Sequence, residues 1–125
     1  EEVFIGTQEG ILTFTLDFNF PNVQNISVHN PLDHNFVTQI KVKDMKLYVS
    51  YLSGSFAVLD INTNTWSNIE TSNPGDFLSY GILDFFLDSA DGNRIVLCNS
   101  SGFMRLNNLV LQEIVQEKGE ILLVY

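Results

Sequence analysis

Apolar and polar positions alternate most plainly over Ile11 to Phe18, where Leu12, Phe14, Leu16 and Phe18 are interleaved with Thr13, Thr15 and Asp17. Side chains of a strand alternate between its two faces, so this spacing predicts a strand with Leu and Phe buried and Thr and Asp in water. Around Val37 to Lys43 the alternation is looser. Thr38, Lys41 and Lys43 stand against Val37, Ile40 and Val42, and the phase slips at Gln39, as a bulge or a shifted strand start would make it do. No window of a dozen residues keeps an apolar stripe at 3.6 spacing, so strands are the default reading. The nearest approach to a helix is Asn107 to Gln116, but its β-branched content and its place in the repeat predict a strand pair.

That repeat is the strongest pattern in the chain. Val3 to Phe14, Leu47 to Asp60 and Ile95 to Leu106 each read as an apolar strand with a small residue near its end (Gly6, Ser50, Cys98), a turn containing glycine, and a second strand. The glycines are Gly10, Gly54 and Gly102, separated by 44 and 48 residues. A tight hairpin needs a position with φ above zero, which glycine adopts without steric cost.

Two further strands complete the second unit: Phe36 to Lys43 before the hairpin, and Thr65 to Glu70 after an Asn62-Thr63-Asn64 turn. The third unit follows the same plan. Ser79 to Leu87 comes first, then an Asp91-Gly92 turn, the central hairpin, and Leu109 to Val115. The chain therefore divides into the second half of one unit (1–35), two complete four-stranded units (36–72 and 77–118), and the first strand of a following unit (119–125).

A four-stranded unit recurring every roughly 40 to 50 residues resembles the WD40-like β-propeller group. Leu59-Asp60, after Phe56-Ala57-Val58, stands where those repeats commonly end a strand with Trp-Asp, and Leu106-Asn107 holds the matching place in the third unit. Kelch, pyrroloquinoline-type and two-component-sensor propellers share the same four-strand period. The resemblance implies an all-β fold, a partial β-propeller of four-stranded antiparallel blades. Two and a half blades do not close a ring, so the resemblance also implies a fragment, or one chain of an assembled propeller, with remaining blades from the same or another chain.

Composition narrows the partners. Fifteen acidic residues against six basic give a formal charge of −9, and the only basic cluster is Lys41, Lys43 and Lys46, read as an exposed strand face and turn. Nucleic acid is excluded as an expected partner, because phosphate binding needs clustered cations, whereas a basic protein subunit would be steered in. No apolar run approaches the roughly 20 residues of a membrane span, and no membrane partner is expected. The single Cys98 forms no internal disulfide, which points to an intracellular location, cytoplasmic or nuclear. The sequons at Asn25 and Asn99 are no more than chance supplies in a chain this rich in Asn, Ser and Thr.

Candidate chemistry is sparse. His29 and His34 flank Pro31-Leu32-Asp33 in what reads as a polar loop, without an evident third ligand for a metal. Asp84, Asp88 and Asp91 gather near Gly92, but Ala90 and Gly92 occupy places where a calcium loop needs oxygen ligands, so a hairpin turn is the reading. Cys98, inside Ile95-Val96-Leu97-Cys98, reads as a buried small hydrophobe. No nucleophile elbow and no phosphate-cradling glycine loop occurs. Catalytic, cofactor and metal sites are therefore all expected to be absent. Trp66, Tyr48, Tyr51 and Tyr80 are the candidate interface aromatics, since exposed Trp and Tyr anchor protein contacts. The sequence thus predicts a non-enzymatic scaffold for other protein subunits of a larger complex. The alternatives are a propeller enzyme or ligand sensor with its site in the central channel, or a self-contained β-barrel holding a small hydrophobic ligand.

Overall fold

A computed structural model describes residues 2–17, 20–29, 36–69, 81–87 and 94–116. Among them there is no helix, and eleven strands form three antiparallel sheets. The first sheet holds β1 (Glu2–Thr7), β2 (Gly10–Asp17) and β3 (Phe20–His29). The second holds β4 (Val37–Lys43), β5 (Lys46–Tyr51), β6 (Phe56–Asp60) and β7 (Thr65–Asn68). The third holds β8 (Asp84–Leu87), β9 (Arg94–Asn99), β10 (Gly102–Asn107) and β11 (Val110–Gln116). In every sheet, spatial order follows chain order, so each is a meander of sequence neighbours. Units 36–72 and 77–118 contain the two four-stranded sheets, and the stretch read as half a unit supplies three strands. The Asp91-Gly92 turn and residues 119–125 lie outside the described residues.

The sheets stack, and the second is covered on both faces. On its front, Leu47, Val49, Tyr51, Ala57 and Leu59 form one apolar cluster with Ile11 and Phe4 of the first sheet. On its back, Tyr48, Phe56 and Val58 join Ile82, Phe85, Ile95, Leu97, Met104 and Leu106 in a second cluster. Cross-strand pairs explain the division: Leu47 faces Leu59 and Val49 faces Ala57 on the front, while Tyr48 faces Val58 and Ser50 faces Phe56 on the back. With no wet face, β5 and β6 need no period-two alternation, and they read as near-continuous apolar runs. Each fully buried Leu or Val contributes roughly 1.5–3 kcal/mol.

The face assigned to the first sheet by alternation is reversed in the structure. Ile11 is fully buried and Thr13 is 5% exposed, whereas Leu12 and Phe14 are half-buried. Ile11 and Thr13 share their face with Gly6 and Phe4, the side that meets the second sheet. The Thr13 hydroxyl donates to Glu2 Oε1 at 2.9 Å, which satisfies a polar group on that face. Gly6 permits the approach of the sheets, since a Cβ there would stand 2.6 Å from Val37 Cγ1.

Turn chemistry fixes the hairpins. Gly10 and Gly54 have φ of 120° and 98°, as the glycine repeat predicts, while Gly102 at 158° is nearly extended and does not need glycine for that reason. The first and third hairpins instead share a side-chain brace at their two-residue turns. Thr7 Oγ1 donates to the Gly10 carbonyl and accepts from Glu9 N–H; Asn99 Oδ1 accepts from Ser101 and Gly102 N–H. The phase slip near Gln39 is a bulge, with Thr38 unpaired in the register and its hydroxyl 2.8 Å from that of Ser50.

Two turns carry bulky residues in the left-handed region: Asp44-Met45, at φ 51° and 61°, and Asn108-Leu109, at φ 51° and 65°. Such a conformation costs an L-residue about 1–2 kcal/mol. Met45 is 49% exposed and gains little in return, whereas Leu109 packs on the second cluster. Met45→Gly is expected to raise stability by about 0.5–1 kcal/mol, the strain relief less the added entropy of the unfolded chain. Leu109→Gly is expected to lower it. Urea midpoints of the two variants check the contrast, and equal shifts would refute it.

Candidate functional site

The junction between the second and third sheets joins aromatic packing to two side-chain hydrogen bonds that cross from sheet to sheet. Strand β4 runs beside β8, bringing Gln39 Nε2 within 3.1 Å of Asp84 Oδ1. That buried carboxylate oxygen also accepts the Phe85 N–H at 2.8 Å. Lys41 Nζ donates to the Phe85 carbonyl at 2.8 Å and lies 5.1 and 5.0 Å from the ring centres of Phe85 and Phe86. Lys41 is thus half-buried in an inter-sheet joint. The sequence placed it on an open face because a lysine stem covering aromatic rings leaves no mark in periodicity.

Phe85 is the centre of the joint. Its ring is fully buried, meets Phe56 edge-on at 5.1 Å, and tilts against Tyr48 at 6.5 Å. Asp84 pairs in register with Cys98, and burial, with the Asp84 charge as a smaller cause, pushes the Cys98 thiol up. A buried thiol held protonated is a poor nucleophile. The reading of Cys98 as a buried small side chain matches its 8% exposure.

Between the same two sheets, at their opposite margin, lies a groove of about 370 Å³. Tyr48, Val58, Ile95 and Leu109 line it with apolar surface, and Lys46 and Asp60 stand at its polar side. Asp60 ends β6, and its Oδ1 accepts from the N–H groups of Asn62 and Thr63 at 3.0 and 3.3 Å, closing the turn predicted at Asn62-Thr63-Asn64. At this position, the one compared above with Trp-Asp, the acidic residue therefore serves as a turn brace.

The four interface aromatics fare differently. Tyr51 is fully buried and Tyr48 is 3% exposed, so neither is a surface anchor of this chain. A tyrosine hydroxyl says little about exposure when both faces of its strand are covered. Trp66 is half-buried against the front cluster of the second sheet. Tyr80 lies outside the described residues, as do His34, Asp88, Asp91 and Gly92. His29 ends β3, paired with Ile11, and is not in a loop. Asn99 of the second sequon is fully buried, its amide donating to the Gly81 carbonyl at 3.2 Å, so the folded chain offers no acceptor there. Among the described residues no group of three acidic, His or Cys side chains is placed to hold a metal ion, and no helix is long and apolar enough to cross a membrane.

The Tyr51 hydroxyl has no hydrogen-bond partner among the described residues, and burial pushes its pKa up to about 12. The folded state therefore holds this proton more tightly than the unfolded chain does. The associated stability is present below about pH 10 and is lost as pH rises toward 12. Tyr51→Phe, which removes an unpaired buried hydroxyl, is expected to stabilise the fold by about 1 kcal/mol and to flatten the alkaline decline over that window. Denaturant unfolding at pH 8 and pH 11 measures both effects, and a Phe variant less stable at pH 8 would show that the hydroxyl is paired.

Surface apolar residues are the remaining candidates for contact. Phe36, Leu52 and Leu83 are 41%, 43% and 42% exposed. They gather at one end of the second and third sheets. Leu52 N–H donates to the Phe36 carbonyl at 2.9 Å, and the adjacent Ile82 N–H reaches the Tyr51 carbonyl at 3.3 Å. Nothing in the pattern of residues signals this patch, which draws on three separate strand ends. No model of a known protein family matches the chain, and no curated protein matches it in sequence, leaving these geometrical features as the basis for a functional reading.

Proposed function

We propose that this chain is part of a β-propeller of the WD40-like kind and acts as a non-enzymatic platform for protein partners. What supports the architecture is the stack of meander sheets, repeated at the spacing of the hairpins, with strands β1, β4 and β8 side by side along one margin. What supports the role is the apolar patch of Phe36, Leu52 and Leu83 on a rigid scaffold, where side chains of this size anchor protein contacts. A formal charge of −9 favours a basic partner, whose encounter would slow as salt is added.

The test uses the protein carrying this sequence, isolated intact with its associated subunits. Leu52→Glu and Leu83→Glu, both at exposed positions, are expected to release a stoichiometric partner while leaving the circular dichroism spectrum unchanged. A protein that retains every subunit in both variants, or that turns over a small substrate without any subunit bound, would defeat the proposal.

A further inference from the structure

Lys46 opens β5 and Asp60 closes β6, and the register sets the two directly opposite each other. Residues paired in this way share one face of a sheet, with their Cβ atoms about 5 Å apart. Here that face lines the groove of about 370 Å³ between the second and third sheets. A cross-strand pair of opposite sign ordinarily closes on itself, yet no ion pair joins these two, and Lys46 has no hydrogen-bond partner among the described residues. Asp60 is committed at one oxygen only. Its Oδ1 accepts from the N–H groups of Asn62 and Thr63, which fixes the carboxylate, while Oδ2 has no partner among the described residues. A cation and an anion thus stand side by side at the groove with bonding capacity left on each.

Beside the charges the groove is apolar. Tyr48, Val58 and Ile95 are buried side chains of the two facing sheets, and half-buried Leu109 completes the lining. Leu109 is held there by its turn, which keeps a left-handed φ of 65° in spite of the cost to a leucine. At roughly 30 Å³ for each water-sized group, the space suits a ligand of about ten atoms heavier than hydrogen. Both walls are sheets of the described structure, so the groove depends on neither end of the chain.

We infer that this groove binds a free α-amino acid with an apolar side chain. The Lys46 ammonium pairs with the α-carboxylate of the ligand, Asp60 Oδ2 accepts from its α-ammonium, and its side chain lies against Tyr48, Val58, Ile95 and Leu109. Spacing selects the class. Because Lys46 and Asp60 are cross-strand neighbours, the two charges of the ligand must also be neighbours, as they are when one carbon bears both. In a peptide the terminal charges are a residue or more further apart. An inorganic phosphate or a fatty acid would satisfy Lys46 but set a like charge beside Asp60. The site goes beyond the platform role proposed above and is independent of it, since it holds whether or not the sheets belong to a propeller.

Isothermal titration calorimetry of the full chain tests it, with L-leucine as the probe and two analogues that each lack one charge: leucinamide, without the carboxylate, and N-acetyl-leucine, without the ammonium. The expected result is a dissociation constant for leucine below about 1 mM, weakened roughly 10-fold or more in either analogue. Lys46→Met is expected to weaken leucine to the same degree and to abolish the preference for leucine over leucinamide. Asp60→Asn keeps an acceptor oxygen for the turn and is expected to abolish the preference over N-acetyl-leucine. Arg105→Gln, which removes a positive charge from a residue outside the groove lining, is expected to change nothing. Circular dichroism establishes that each variant folds. A constant for leucine above about 1 mM, equal binding of all three compounds, or binding indifferent to both groove substitutions overturns the inference.

Discussion

Gly81→Ala is expected to lower stability by about 3 kcal/mol, a large fraction of the roughly 5–15 kcal/mol that holds a domain together. Gly81 has φ of 78°, so any side chain there adds about 1–2 kcal/mol of backbone strain. A Cβ would also collide with the Leu52 carbonyl oxygen, a backbone atom with no flexible side chain to yield. Moving that carbonyl disturbs the bond from Ile82 N–H to Tyr51 and the one from the Asn99 amide to Gly81 itself, each worth about 1 kcal/mol. Guanidinium unfolding measures the loss. A change below about 1 kcal/mol would mean that the junction relaxes and that the left-handed geometry is not required.

The second large effect is at Phe85. Truncation to alanine leaves a cavity where a fully buried ring met Phe56, Tyr48 and the Lys41 ammonium, and about 3–5 kcal/mol is the expected cost. Phe85→Leu, which keeps most of the volume, is expected to cost less than about 1.5 kcal/mol. Lys41→Met separates the cationic contribution from the packing, at about 1 kcal/mol or less. If Phe85→Ala and Lys41→Met were equally damaging, charge and not ring volume would be holding the second and third sheets together. Urea midpoints on the three variants decide between these.

These positions also mark how far the sequence is legible. The hairpins were readable because Gly10 and Gly54 sit where the backbone requires them, and because the separation of the glycine turns recurs. The bulge was readable because inserting Thr38 shifts the apolar phase by one residue. Gly81 was not, since it stands alone at the entry to β8 and its constraint comes from Leu52, distant in the chain. Nor was the direction of the first sheet. Both of its faces carry apolar residues, so alternation identifies a strand without saying which face meets a neighbour. Met45 and Leu109 hide their turns for a different reason. They adopt a conformation that their side chains disfavour, and no preference table points to them there.

The patch of Phe36, Leu52 and Leu83 belongs to a third class. It arises where β4 begins, β5 ends and the chain enters β8, so it exists only after the sheets have docked. Tyr48 and Tyr51 failed as interface candidates by the same logic, because burial on both faces of β5 is decided by two other sheets.

That double coverage has a kinetic corollary. Strand β5 is hydrogen-bonded along both edges, to β4 and to β6, and is shielded above and below by the neighbouring layers. Its amide hydrogens can meet solvent deuterons only when the whole arrangement comes apart, whereas those of β7 and the outer margin of β1 are released by local fraying. The amides of Leu47 to Ser50 should consequently be the last to exchange, and their rate would report the global opening of the molecule.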